Sequence, residues 1–151
     1  MASTKLFVST MRGWAEVFMA HSMRAWMRYV KASELSLPQF SVLMRLYYRG
    51  GCGISDLSAH LDVTAAGASQ LVEGLVQKGL LERVENPNDR RAKQVSLSAK
   101  GRALIEKGIE IRNRWTEKLA VHLTADQQVT VIAALKYLTE AAEQLEPAPT
   151  H

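Results

Sequence analysis

Asp89, Arg90, Arg91 and Lys93 sit just after an Asn-Pro-Asn turn signal and just before the alternation Val95-Ser96-Leu97-Ser98. Cations packed this densely at a turn have one obvious chemistry, the gripping of an anion. In an extended arm, residues two apart point to the same side, so Asp89 and Arg91 share a face and Arg90 takes the other. A carboxylate beside a guanidinium can hold it in one orientation, which lowers the ordering entropy lost when the cation meets its target. Taken alone, the same residues fit a solvated hairpin tip with an exposed ion pair worth ~0–1 kcal/mol. The elements around them decide between the two.

The rest of the chain offers little competing chemistry. It has no glycine-rich phosphate loop, no nucleophile elbow and no evident nucleophile–base set, so it is not expected to be an enzyme. His21, His60, His122 and His151 are scattered without the close spacing of a ligand set, so neither a metal nor a cofactor is expected. Cys52 is the single cysteine, which excludes an intrachain disulfide and fits a reducing, cytoplasmic setting. The 151 residues are 47% hydrophobic, enough for one domain with flanking helices. The net charge of +4 agrees with an anionic partner. No apolar run reaches the ~18 residues of a membrane span, and the N-terminus does not read as a secretory signal.

The elements that would hold the cationic stretch follow from periodicity and caps. A long helix from about Lys5 to Ala32 is predicted by Phe7, Met11, Trp14, Phe18, Ala25 and Tyr29. Ser36-Leu-Pro-Gln39 is a capping box with proline in the first turn, opening a helix with Phe40, Leu43, Leu46 and Tyr47 on one side. Arg49-Gly-Gly-Cys-Gly53 ends it. Ser55 is expected to cap a short helix through Leu61, Asp62-Val63-Thr64 breaks it, and Thr64 caps another through Lys78. Gly79 stops that helix. Helices joined by so short a break, the second apolar on one face, make the helix-turn-helix pattern. Leu81–Glu85 and Gln94–Leu97 alternate as strands, so the cationic stretch is the tip of a hairpin, or wing. Ser98 caps a further long helix with a stripe from Leu104 to His122, and Thr124-Ala-Asp-Gln127 opens a last one. Gly108 lies on that stripe, where it either admits a close neighbour or bends the helix.

This order, and its local motifs, resemble the MarR family of bacterial winged helix-turn-helix transcriptional regulators. The likeness rests on Leu37-Pro38-Gln39-Phe40, on Leu57…Leu61-Asp62-Val63-Thr64, on Leu75…Lys78-Gly79-Leu80-Leu81-Glu82-Arg83, and above all on Asp89-Arg90-Arg91…Val95-Ser96-Leu97-Ser98…Gly101. It covers about residues 35–105 closely and the outer helices by layout. Ser98 stands where the family usually has threonine, an equivalent helix cap.

The resemblance implies a mainly α fold that binds double-stranded DNA, with the Thr64 helix in the major groove and Arg91 in a minor groove. Away from Leu71 and Leu75 that helix offers Thr64, Ala66, Gly67, Ser69 and Gln70. Thr64 suits a phosphate, Gln70 an adenine edge, Ser69 several bases and Ala66 a thymine methyl. Arg90 and Lys93 suit flanking phosphates, with Asp89 orienting the wing arginine. The helix has no Arg or Lys before Lys78, where the family often carries a base, so affinity is expected to lean on the wing.

Trp14, Phe18, Trp115, Ile132, Leu135 and Leu138 are costly to leave wet, which predicts a homodimer on a pseudo-palindromic operator. The expected organisation is a dimerisation helix at 1–34, the winged helix-turn-helix at 35–100, dimerisation helices at 101–146 and a flexible tail at 147–151. The expected function is a sequence-specific repressor. The alternative is an architectural or protein-interaction winged helix with little sequence preference. The resemblance further implies a small aromatic or lipophilic effector, for which Trp14, Phe18 and Tyr47 are the candidate pocket residues, although ordinary packing also accounts for them.

Overall fold

The computed structural model describes residues 2–86 and 89–145, without the side chains of Ala2, Asn86 and residues 89–92. The expected flexible tail at 147–151 and the Pro87–Asn88 turn lie outside the described residues. The elements run α1 (Ala2–Ala32), α2 (Leu37–Arg49), α3 (Ile54–Leu61), α4 (Ala65–Gln77), β1 (Leu81–Asn86), β2 (Asp89–Leu97), α5 (Ala99–Asn113), α6 (Trp115–Val121) and α7 (Ala125–Glu143). The chain divides into two units, Met1–Arg112 and Asn113–His151. The fold is mainly helical with one small antiparallel sheet, as the periodicity predicts.

Local chemistry sets most boundaries. At α2, the Gln39 amide N–H donates to Ser36 Oγ and the Ser36 N–H donates to Gln39 Oε1, a reciprocal capping box. Thr124 and Gln127 repeat it at α7. Gly79 adopts φ 71°, its N–H donates to the Val76 carbonyl, and the Leu80 N–H reaches back to Leu75, which is a Schellman stop for α4. Ser98 caps α5 by accepting from the Gly101 N–H while donating to the Gly79 carbonyl, and so joins the end of one helix to the start of the next.

Three expectations change. The cap of α3 is Gly53 rather than Ser55: the Asp56 carboxylate accepts from the Gly53 N–H at 3.1 Å, which starts the helix before Ser55. The long helix after Ser98 is interrupted at Arg114. There the Glu117 N–H donates to the Arg114 carbonyl, three residues back, at 3.2 Å, and the Thr116 hydroxyl donates to the Asn113 carbonyl at 2.7 Å. The second wing strand begins at Asp89, not Gln94, so the cationic stretch is itself strand.

The core of the first unit gathers the inward faces of every element around the helix-turn-helix. Val42, Leu43, Leu57, Val72, Leu75 and Ile105 are fully buried. Phe40 of α2 takes the edges of Trp26 and Tyr29 of α1, with ring centroids 5.1 and 6.2 Å apart. Offset and edge-on ring pairs of this kind add ~0.5–1.5 kcal/mol to simple burial. In the second unit, α7 buries none of its residues.

Candidate nucleic-acid interface

Helix α4 turns one face inward and the other to solvent. Ala68, Val72 and Leu75 are buried, at i, i+4 and i+7. Thr64, Ala66, Ser69 and Gln70 are exposed on the opposite side, and Gly67 is half-buried among them. The sequence-predicted α4 residues therefore share one accessible surface. Thr64 Oγ1 accepts from the Gly67 N–H at 3.1 Å, which leaves its own hydroxyl proton and the amides of Ala65 and Ala66 at the helix mouth. The positive end of the helix dipole lies there too, so the mouth of α4 favours an anion.

The turn before α4 is tight. Asp62 adopts the left-handed conformation at φ 52°, and the Val63 N–H donates to the Ser58 carbonyl at 3.1 Å. This fixes α3 against α4 without a long connection. Val63, at the corner, remains exposed.

The wing pairs Leu81 with Leu97, Arg83 with Val95 and Glu85 with Lys93, and it shifts register between Glu85 and Asn86. Cys52 adds a third, bridge-length strand: its N–H donates to the Val95 carbonyl at 3.1 Å, and the Val95 N–H donates back at 2.9 Å. The loop after α2 thereby clamps the base of the wing. Burial pushes the Cys52 thiol above its ordinary range, and nearby Arg45 offsets only part of this. Asp89, Arg90 and Arg91 open β2, but their side chains lie outside the described residues, as does the expected pairing of Asp89 with Arg91. Lys93 is exposed.

One link escapes the sequence pattern. Arg83 of β1 donates from Nη2 to Glu73 Oε2 of α4 at 2.9 Å, across the exposed junction of helix and wing. The signal for it is weak in sequence, because an acid and a base ten residues apart meet only once the strand folds back on the helix.

A cavity of about 460 Å³ lies in the first unit, lined by Phe18, Met23, Trp26, Phe40, Met44 and Arg112 among others. Of the candidate effector residues, Phe18 is in its wall. Trp14 packs on Phe18 at 6.3 Å, and Tyr47 packs on Tyr48 at 5.2 Å with Arg102 over its ring. Among the described residues no group of His, Cys, Asp or Glu could hold a metal ion.

The MarR family model matches residues 35–93, from just before α2 to Lys93 in the wing. The multiple antibiotic resistance protein MarR of Escherichia coli is 30% identical over 111 residues, 73% of this chain and 74% of its own length. The chain belongs to the MarR family. Another relative is YwhA of Bacillus subtilis, an uncharacterized HTH-type transcriptional regulator. It is 31% identical over 99 residues, 65% of this chain and 71% of that one. Among solved structures, the transcriptional regulator Tm0710 of Thermotoga maritima superposes with a TM-score of 0.76 at 26% identity, covering 93% of this chain and 96% of that one. A mutant Escherichia coli MarR, complexed with operator DNA, superposes with a TM-score of 0.53 at 25% identity, covering 87% and 94%. This MarR-family chain is a transcriptional regulator, not an enzyme. No described helix is long and apolar enough to cross a membrane.

Proposed function

We propose that this protein is a cytoplasmic, dimeric repressor that binds a pseudo-palindromic operator in double-stranded DNA. The observation that carries the reading is the exposed surface of α4 beside the wing, in a chain similar to a MarR crystallised with operator DNA. Thr64 and the mouth of α4 meet phosphate, and Ala66, Gly67, Ser69 and Gln70 face base edges in the major groove. Arg91 enters the adjacent minor groove, steadied by Asp89, while Arg90 and Lys93 take flanking phosphates. Residues 35–100 form the DNA-binding region, with dimerisation helices at 1–34 and 101–146.

Dimerisation is supported by the apolar surface each unit leaves open. In the first unit α1 exposes Phe7, Val17 and Met19; in the second, α7 exposes Val129, Ile132 and Leu135. Such side chains gain ~1.5–3 kcal/mol each on burial, and a second copy is the simplest cover. The cavity by Phe18 and Trp26 is large enough for a small lipophilic or aromatic effector whose binding releases DNA.

Selection of bound duplexes from a random pool tests the reading: one palindromic consensus is expected. Steep salt dependence with no consensus would instead favour an architectural role, a reading kept alive by the lack of Arg or Lys along α4.

A further inference from the structure

Beyond Leu81 and Val95, which are buried, the hairpin leaves the core. At that base, directly opposite Val95, Arg83 of β1 is tied to α4 by its ion pair with Glu73 at 2.9 Å. Among the described residues it is the only ion pair between these two elements. Glu73 stands one helical turn beyond Ser69 and Gln70, on the exposed side of α4. A carboxylate there is out of place on a helix that approaches phosphates, unless it has a partner and a task.

We propose that Glu73 and Arg83 are positioning residues for DNA binding. Their ion pair braces the wing at a fixed splay from α4, so that helix and arm reach neighbouring grooves together. This rests on the DNA-binding reading above and adds a role for residues that touch no base in it. The physical case has three parts. Arginine's planar fork holds its direction better than a lysine ammonium would, so it suits a brace. Both side chains are about half exposed, at 42% and 52%, so the pair contributes little to folding itself. Beyond the Arg83–Val95 pair no described residue of the ribbon is buried, so its direction is set at this base, and any loss of the binding-competent orientation lowers apparent affinity by the same fraction.

The test turns on a sign. Removing an acid close to DNA should tighten binding by simple electrostatics, so Glu73→Gln would then bind better and Arg83→Gln worse. A brace demands that both bind worse. Fluorescence anisotropy is read with a labelled duplex selected from a random pool by the parent protein, at moderate salt, on variants whose circular dichroism and melting temperature match the parent. Expected are losses of about threefold for Glu73→Gln and for Arg83→Gln, with the double variant no weaker than Arg83→Gln alone. Glu73→Gln binding as tightly as the parent, or tighter, overturns the brace while leaving the proposed function intact. Absence of binding by the parent itself overturns the proposed function and the brace with it.

Discussion

The Tyr29 hydroxyl of α1 donates to the Leu104 carbonyl of α5 at 2.8 Å, and the tyrosine ring lies over Gly108, one turn further along. That glycine is the reason the two helices can approach so closely. A Cβ built on it would stand 2.7 Å from Tyr29 Cε1 and 2.9 Å from Trp26 Cζ3. Alanine gains about 1 kcal/mol of helix propensity, but overpacking against two rings costs about 1–3 kcal/mol, so Gly108→Ala is expected to be net destabilising. Gly101 is the harsher case. A Cβ there would run into the Leu80 carbonyl oxygen, which is backbone and cannot rotate away. Thermal unfolding should rank the parent first, Gly108→Ala next and Gly101→Ala last. Equal melting temperatures for Gly108→Ala and the parent would mean that the rings of Tyr29 and Trp26 give way at a cost no larger than the helix propensity gained.

Cys52 offers a test of how firmly the wing base is clamped. Cys52 is 5% exposed, and burial raises its thiol pKa above the ordinary value of 9.0. A thiol raised on folding stabilises the fold fully below the unfolded pKa, and that contribution is lost as pH climbs through the folded one. Stability is therefore expected to fall as pH climbs above about 9 in the parent, and to fall less in Cys52→Ala. The same burial predicts that a thiol reagent labels the native protein far more slowly than the urea-unfolded chain. Rapid native labelling at neutral pH would show that the Cys52–Val95 bridge opens freely.

What could be read in the chain alone followed the range of the interaction. Ser36 with Gln39, Thr64, Gly79, and Thr124 with Gln127 are all legible, because a cap and its partner lie within a turn of one another. The inward set Ala68, Val72 and Leu75 is legible for the same reason, since periodicity is local. The α4 surface of Thr64, Ala66, Ser69 and Gln70 is its complement. Gly108 was conspicuous on an apolar stripe, yet only the fold shows that Tyr29 and Trp26, from the other end of the first unit, fill the space it leaves. The Arg83–Glu73 pair was hidden likewise, because its distance depends on how the strand returns over the helix. The interruption at Arg114 was hidden too, because the stripe from Leu104 to His122 keeps its apolar spacing across it.

Thr64 joins stability to the proposed interface. Its hydroxyl oxygen caps α4 through the Gly67 N–H, and loss of such a cap costs ~1 kcal/mol. Thr64→Ser keeps the cap and should melt close to the parent, whereas Thr64→Ala should melt several degrees lower. If the hydroxyl also meets a phosphate, Thr64→Ala loses DNA affinity beyond its loss of stability when both are measured well below the melting temperature. Full DNA affinity in the folded Thr64→Ala variant would remove Thr64 from the interface.

The second unit offers a test of the proposed dimer. Ile132 and Leu135 are 53% and 48% exposed on α7, one turn apart, and the helix buries nothing within its own unit. If a second copy covers this face, Leu135→Glu places a carboxylate in the middle of an apolar contact, where an unpaired charge is costly enough to shift its pKa or separate the chains. Sedimentation equilibrium at micromolar concentration is expected to return a dimer for the parent and a largely monomeric Leu135→Glu, whose first unit still shows native helicity. A half-operator duplex should then bind the monomer about as weakly as it binds one arm of the dimer, while the full operator loses the avidity of two linked sites, ~10²-fold or more. A parent that sediments as a monomer, or a Leu135→Glu variant that remains dimeric, would move the contact away from α7.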